Sequence, residues 1–266
     1  MLERGRLLVA SDFDGTLSRM VLDPWSAAII PGAQRALRRL STMPDTHVAL
    51  ISGRTVADLA RRARIGGISY RGDHGAERAE AARGFRPAAL QVEREAVTGA
   101  VVEMAARLKS EVPRQVDEPW LVLEDKGAAL TFHFRAAPDV EAARARVIAA
   151  VDAVDTTGLM SRPGGRRAYE LRPPGASTKA DALRSLIDEH EPDAVLMLGD
   201  DGHDALAFDA LRAVREERRV VGLAVAVAGH ADVTADVGPR ADVVLRAPEA
   251  TARFLGLLCR EVANRT

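Results

Sequence analysis

Two carboxylates lie two residues apart at the point where an apolar segment ends. The segment 7–11 is followed by the sequence DFDGT, which begins at Asp12. A short apolar run that ends in a glycine turn is typical of a buried strand of a parallel sheet. Because side chains alternate along a strand, Asp12 and Asp14 are expected to face one side while Phe13 packs on the other. Ligands of open α/β sheets bind at the carboxyl ends of the strands, so this pattern predicts a phosphoryl-transfer site.

Two further apolar segments also end in polar residues. Ser52 follows the segment 47–51, and Asp200 follows the segment 194–198. The carboxyl ends of parallel strands lie along one edge of the sheet, so these residues are expected to meet the first two carboxylates there. Converging carboxylates repel one another unless a cation lies among them. An oxygen-only ligand set, without histidine or thiolate, favours Mg²⁺ over zinc.

Lysine is rare in this chain. Only three of the 37 basic residues are lysine, namely Lys109, Lys126 and Lys179. A composition that uses arginine for most cationic positions retains lysine where a compact ammonium must meet a single oxygen as a point charge. Lys109 lies on an amphipathic helical segment and needs no such role. We therefore expect Lys126 and Lys179 to be functional.

With a phosphate ester as substrate, these residue types can divide a reaction among them. Asp12 can attack phosphorus and form an aspartyl phosphate. Asp14 can protonate the departing oxygen and then deprotonate the water that hydrolyses the intermediate. Ser52 and Lys179 can hold the transferring oxygens. The expected Mg²⁺ ligands are Asp12, Asp200 and a backbone oxygen at Asp14.

The order of the predicted elements indicates the fold class. Strands and helices alternate at both ends of the chain, which predicts an α/β fold with a parallel sheet covered by helices on both faces. We predict a Rossmann-like core of residues 1–77 and 173–266, interrupted by an α+β cap at 78–172. The predicted strands are 7–11, 47–51, 69–71, 120–124, 129–134, 168–171, 194–198, 220–227 and 242–245. The predicted helices are 32–40, 55–64, 96–110, 140–153, one that begins near 178 and one that begins near 249.

Composition excludes several classes of function. The 37 basic and 38 acidic residues leave a formal net charge of −1, so no overall field recruits nucleic acid or an anionic membrane. Cys259 is the only cysteine, which excludes an intramolecular disulfide and a thiolate metal cluster. The segment before Asp12 is too short for a signal peptide, and no stretch reaches membrane-spanning length. We therefore expect a cytoplasmic, monomeric protein with a small-molecule partner.

These motifs together resemble those of the haloacid dehalogenase (HAD) superfamily of phosphohydrolases. The resemblance rests on DFDGT after a strand, a serine that ends a strand, an isolated lysine, and GDDGHD at 199–204. Within the superfamily, ISGR at 51–54 and GDHGAE at 72–77 are similar to sequences of the trehalose-6-phosphate phosphatase family. The similar segments of the predicted cap are EDK at 124–126, HFR at 133–135 and YELRP at 169–173.

The resemblance implies a HAD-like fold and Mg²⁺-dependent hydrolysis of trehalose 6-phosphate to trehalose and phosphate. It implies Asp12 as the nucleophile, Asp14 as acid and base, Ser52 and Lys179 as phosphate holders, and Asp200 as a metal ligand. The residues that it assigns to substrate binding are Arg54, His74, Glu124, Lys126, His133, Arg135, Arg166 and Glu170.

Alternatives remain for both the substrate and the residues. The same chemistry would hydrolyse sucrose phosphate, a glycosyl-glycerate phosphate or a pseudo-disaccharide phosphate. A sugar-phosphate-binding regulator with a silent site is a third class, but it is expected to lose its nucleophile, acid or lysine, and all are present.

Charged hairpin residues such as Glu124 and Lys126 are often only solvated. His133 and Arg135 alternate with phenylalanines, as the solvent face of a strand would. For Asp204 the resemblance implies only a weaker metal contact.

Overall fold

The chain forms two compact units. The computed structural model describes residues 5–21, 23–163, 167–218, 220–228 and 237–264. One unit contains Met1–Arg94 and Ser177–Thr266, and the other contains Glu95–Ala176. The second unit begins later than the predicted cap boundary at 78, because the residues just after that boundary continue the main sheet.

The described residues form eleven strands and seven α-helices. The strands are β1 (Leu7–Ser11), β2 (Thr46–Ile51), β3 (Ile68–Gly72), β4 (Glu77–Ala81), β5 (Glu93–Arg94), β6 (Val122–Asp125), β7 (Leu130–His133), β8 (Ala168–Leu171), β9 (Ala194–Gly199), β10 (Val221–Val227) and β11 (Val243–Leu245). The helices are α1 (Pro31–Leu40), α2 (Val56–Ala63), α3 (Gly99–Val116), α4 (Val140–Val154), α5 (Lys179–His190), α6 (Gly202–Arg218) and α7 (Pro248–Ala263). None of these helices combines the length and the apolar character that a bilayer crossing needs.

The first unit is built on an eight-stranded, mostly parallel sheet. Its strand order is β11-β10-β9-β1-β2-β3-β4-β5. The pairs from β11 to β3 are parallel, whereas β4 is antiparallel to β3 and β5 is antiparallel to β4. The predicted α/β fold class is therefore confirmed, and two antiparallel strands are added at one edge.

Helices cover both faces of this sheet. Leu8 and Ala10 of β1 pack in one buried cluster with residues of α5 and α6. Val9 and Phe13 pack in a second cluster with residues of α1, α2 and α7. The alternation along β1 is what a strand with apolar neighbours on both faces requires. It also places Phe13 in the core, as predicted, and leaves the flanking carboxylates free to face a site.

The second unit is the predicted α+β arrangement. Its sheet is antiparallel with the order β6-β7-β8. Its core contains Leu108 of α3, Val147 of α4, and Leu130 and Phe132 of β7. Apolar residues of one sheet face thus pack against the two helices, and the opposite face is left for polar side chains.

Candidate active site

The carboxyl ends of β1, β2 and β9 meet at one edge of the main sheet. The last residue of β1 is aligned with Leu50 of β2 and with Leu198 of β9. The Asp12 amide donates a hydrogen bond to the Leu198 carbonyl oxygen (2.9 Å), so the alignment continues past the end of β1. Ser52 and Asp200 directly follow β2 and β9. The structure therefore brings these two residues beside the DFDGT segment.

Lys179 reaches the same edge from the first position of α5. The Thr178 hydroxyl accepts a hydrogen bond from the Asp181 amide, and the Asp181 carboxylate accepts one from the Thr178 amide. This capping box fixes the start of the helix. The Lys179 side chain is only 2% exposed, and its Nζ donates to Asp12 Oδ1 (2.7 Å) and Asp204 Oδ1 (2.9 Å). The lysine that was singled out by its rarity thus contacts the predicted nucleophile.

Burial and neighbouring charge act in opposite directions on these groups. Burial raises the pKa of Asp12 well above its usual value; the Lys179 ammonium opposes this shift, and the Asp200 and Asp201 carboxylates add to it. Burial alone would lower the pKa of Lys179, but Asp12, Asp201 and Asp204 together hold it well above its usual value. Lys179 is therefore a fixed cation, and further positive charge beside Asp12 would favour its ionised form.

Asp12, Asp200 and Asp204 form an acidic cluster. Each offers one carboxylate oxygen, and these oxygens lie within 4.8 Å of one another. Asp12 Oδ2 is buried and has no hydrogen-bond partner among the described residues. A set of oxygen ligands that includes a buried, unpartnered oxygen fits a hard divalent cation. The cluster could hold such an ion, and it includes Asp204, for which sequence analysis gave only a weaker metal contact.

Two glycines make room for this cluster. Gly15 has a φ of +76°, and a Cβ atom there would lie 2.1 Å from Asp200 Oδ2. A Cβ atom on Gly199 would lie 2.2 Å from Asp204 Cγ. Asp204 itself accepts hydrogen bonds from the amides of Asp200 (3.0 Å) and Asp201 (3.1 Å). Asp204 lies four residues after Asp200, and at this spacing its carboxylate can hold the turn that carries Asp200.

The second carboxylate of DFDGT has a different partner. Both oxygens of Asp14 accept hydrogen bonds from Arg54, at 2.6 Å from Nε and 2.8 Å from Nη2. The Asp14 side chain is therefore not a member of the acidic cluster, in which Asp204 stands instead. The Ser52 hydroxyl accepts a hydrogen bond from the Arg54 amide (3.2 Å). These contacts connect the polar residues that follow β1 and β2.

The turn after β3, which carries the sequence GDHGAE, packs against the segment after β2. The amides of Asp73 and His74 donate hydrogen bonds to the carbonyl oxygens of Arg54 (2.7 Å) and Ser52 (2.9 Å). Both turn residues have positive φ, 43° for Asp73 and 59° for His74. The His74 ring lies 4.4 Å from the ring of His203 at the start of α6. His74 is thus held at the same edge of the sheet as Ser52.

The predicted cap residues lie on the sheet of the second unit. Glu124 of β6 is aligned with Thr131 of β7, which is aligned with Glu170 of β8, so the three side chains share one face. A Glu124 carboxylate oxygen lies 2.9 Å from His133 Nε2. Lys126 Nζ donates to Glu170 Oε1 at 2.9 Å. Four predicted substrate-binding residues therefore form two charged or polar pairs on this unit.

Two other predicted residues are less informative. Arg135 lies two residues beyond the end of β7. Arg166 lies outside the described residues.

Comparison with known proteins decides the family. The trehalose-phosphatase family model matches residues 10–237. The chain belongs to the trehalose-phosphatase family. It is 33% identical to a trehalose-phosphate phosphatase of Mycobacterium marinum over an alignment of 271 positions, which covers 97% of this chain and 63% of that relative. It is 34% identical to one of Mycobacterium leprae over an alignment of 214 positions, which covers 76% of this chain and 47% of that relative.

The trehalose-phosphatase fold is also found among solved structures. The C-terminal domain of a C. albicans trehalose-6-phosphate phosphatase aligns with a TM-score of 0.77 at 24% identity, over 96% of this chain and 93% of that one. The HAD-like fold that the motifs implied is therefore confirmed. The chain spans about half to three fifths of the length of the two mycobacterial relatives.

Proposed function

We propose that this family member is a Mg²⁺-dependent phosphatase that hydrolyses trehalose 6-phosphate to trehalose and phosphate. The observation that carries the proposal is the Asp12 carboxylate, which is buried, bonded through Oδ1 to Lys179 and without a hydrogen bond from any described residue at Oδ2. A carboxylate in this setting is suited to nucleophilic attack on phosphorus. The names of the mycobacterial relatives support the choice of substrate.

The reaction would proceed in two displacements. In the first, an Asp12 oxygen forms a bond to phosphorus, the bond from phosphorus to the sugar oxygen breaks, and Asp14 donates a proton to that oxygen. In the second, Asp14 takes a proton from water, whose oxygen attacks phosphorus and breaks the bond to Asp12. Phosphate leaves, and both carboxyls return to their initial states.

The remaining residues of the edge would hold the transferring group. Lys179 is a fixed cation beside Asp12, and Ser52 offers a hydroxyl where β2 ends. Preorganised donors of this kind act on charge that develops in the transition state. Asp12, Asp200 and Asp204 would hold Mg²⁺ through side-chain oxygens, together with the expected backbone oxygen at Asp14. When bound, the ion supplies positive charge that neutralises phosphoryl oxygens.

Sugar recognition would belong to the polar face of the second unit. The pairs Glu124–His133 and Lys126–Glu170 offer both acceptors and donors. Such groups suit vicinal hydroxyls, and a substrate that lacks these hydroxyls would leave them unpaired. Arg135, Arg166 and His74 are further candidates from the family resemblance.

The test is phosphate release by the purified chain from trehalose, sucrose and glucose 6-phosphates, each with Mg²⁺ and with EDTA. We expect the highest kcat/KM for trehalose 6-phosphate and no release in EDTA. Preferred turnover of sucrose phosphate would keep the chemistry and overturn the substrate. Binding of trehalose 6-phosphate without release of phosphate would indicate a regulator with a silent site.

A further inference from the structure

The geometry points to Arg54 as the residue that positions Asp14 for proton transfer, and not as a ligand of the substrate phosphate. The inference rests on the proposed function, in which Asp14 is the acid and base. It differs from the expectation, drawn from the family resemblance, that Arg54 binds the substrate.

Arg54 engages both oxygens of the Asp14 carboxylate. Nε lies 2.6 Å from Oδ2 and Nη2 lies 2.8 Å from Oδ1. Two parallel N–H···O bonds fix the plane and the direction of a carboxylate, whereas a single bond leaves it free to rotate. The Asp14 side chain is 33% exposed, so water alone would allow several rotamers. The fork of Arg54 selects one of them.

Arg54 is itself held in place from the opposite side. Its Nη1 donates to Asp58 Oδ2 (2.7 Å) on α2, and its Nη2 also donates to the Pro24 carbonyl oxygen (2.8 Å). Asp58 is fixed in turn by Arg62 Nε at 2.7 Å. The guanidinium carbon lies 5.8 Å from the centre of the Phe13 ring, which is buried in the core. Arg54 is thus fixed by α2 and by the core, and it holds the Asp14 carboxylate in one position relative to them.

This arrangement leaves Arg54 little capacity for a phosphate. A guanidinium has five N–H donors. Four contacts, two to Asp14, one to Asp58 and one to Pro24, occupy one donor each. One N–H on Nη1 is left, which does not allow the two-pronged contact that arginine makes with phosphate. The side chain is also only 8% exposed. Its contacts therefore suit it to hold Asp14.

The consequence for the reaction is geometric. Asp14 must reach the leaving oxygen in the first displacement and the attacking water in the second. A misplacement of about 1 Å in a positioned group can cost about 100-fold in rate. Loss of Arg54 should therefore lower kcat and leave substrate affinity largely unchanged.

The experiment is a double-mutant cycle in the full chain. Arg54→Gln, Asp14→Asn and the double variant are assayed with Mg²⁺ on trehalose 6-phosphate and on 4-nitrophenyl phosphate. We expect Arg54→Gln to lower kcat by about 10- to 100-fold with KM within about threefold of the native value. We expect the double variant to lose no more activity than Asp14→Asn alone, because Arg54 acts through Asp14. For each variant, the fold-loss in kcat on trehalose 6-phosphate can be divided by the fold-loss on 4-nitrophenyl phosphate. This ratio should be the same for Arg54→Gln as for Asp14→Asn.

Arg71 provides a matched control. It is another buried arginine that bridges two carboxylates, those of Glu80 (2.8 Å) and Glu189 (2.7 Å). Arg71→Gln should remove a comparable buried cation and leave kcat within about threefold, since it does not contact Asp14. If Arg54→Gln fails to fold, Asp58→Asn removes the charge of one anchor of the arginine and should show the same split between kcat and KM at a smaller size.

Two results of the double-mutant cycle would overturn the inference. A KM raised tenfold or more with little change in kcat would make Arg54 a substrate ligand. Losses that multiply in the double variant would mean that Arg54 acts independently of Asp14. Native protein that hydrolyses only 4-nitrophenyl phosphate would overturn the proposed sugar substrate, while the same cycle on that compound would still decide the role of Arg54. Native protein that hydrolyses neither compound would overturn both proposals.

Discussion

Replacement of Asp12, the proposed nucleophile, should make the metal-free protein more stable as well as inactive. At the Lys179–Asp12 separation of 2.7 Å, the attraction is about 6 kcal/mol at an effective dielectric constant of 20. The pKa of Asp12 nevertheless lies well above its usual value, so burial and the repulsion from Asp200 and other carboxylates outweigh that attraction. Asp12→Asn removes the buried charge and keeps an oxygen that can accept from Lys179. We expect a gain of about 1–2 kcal/mol in the free energy of unfolding in EDTA.

The same change should remove most of the response to Mg²⁺. An ion that binds only the folded chain adds about 2.7 kcal/mol at 100 times its Kd. The native protein should show a stabilisation of this kind, and Asp12→Asn should show much less, because it loses the carboxylate whose Oδ2 has no partner among the described residues. Turnover of trehalose 6-phosphate should fall by about 1,000-fold or more. Urea unfolding with EDTA and with Mg²⁺, beside a phosphate-release assay, measures all three effects.

Asp242 gives a control with the opposite sign. Its carboxylate accepts hydrogen bonds from the Ala224 amide (2.8 Å) and from Arg215 (3.0 Å). Although burial opposes it, these bonds lower the pKa of Asp242, so its charge stabilises the fold. Asp242→Asn should therefore lower the unfolding free energy. If Asp12→Asn also lowered the unfolding free energy in EDTA, the argument from buried charge would be refuted. If the Asp12→Asn variant kept its turnover, the covalent mechanism would be refuted.

Two further predictions concern other parts of the molecule. Glu124→Gln and Lys126→Met should lower kcat/KM for trehalose 6-phosphate by about tenfold or more, and should leave kcat/KM for 4-nitrophenyl phosphate within about threefold of the native value. Release of phosphate or nitrophenol measures both. Equal losses on the two substrates would mean that these residues do not recognise the sugar. Burial and the stacked His190 ring lower the pKa of His47 to about 4, so stability should be full above pH 6.5 and fall as the pH drops toward 4. The loss should be about 1–2 kcal/mol for this half-exposed ring, and His47→Gln should flatten that part of the urea midpoint against pH.

The sequence pattern predicts correctly those strands and helices whose residue types suit their place in the fold. Interior strands such as β1 and β9 are apolar on both faces, and helices such as α5 begin with capping residues. The strand β4 was missed because its sequence, ERAEA, contains no β-branched or aromatic residue. It forms as a strand because the edge of β3 supplies its backbone hydrogen bonds, and its residues alternate between buried and exposed. The extent of the main sheet was therefore decided by pairing and not by local preference.

Residues of the candidate site were predictable where a strand end places them. Ser52 and Asp200 follow apolar strands directly, and Lys179 was marked by the rarity of lysine. The place of Asp204 was not predictable in this way, because an acidic residue in the first turn of a helix is common as a partner of the helix dipole. Only the folded turn shows that it accepts from two amides and from the lysine. Spacing alone does not distinguish a carboxylate that holds a turn from one that faces solvent.

The proposed roles of Asp12 and Asp14 are supported most directly by the different cations that they contact. Asp12 and Asp14 have the same chemistry and lie two residues apart, yet one is buried against a point charge on Lys179 and the other is gripped by the planar fork of Arg54. The point charge of Lys179 engages only Oδ1 of Asp12, and no described residue hydrogen bonds to Oδ2. A fork holds both oxygens of Asp14 in one orientation, as a group that must donate and then accept a proton at a fixed place requires. These different environments support the proposed division of the two carboxylates between attack and proton transfer.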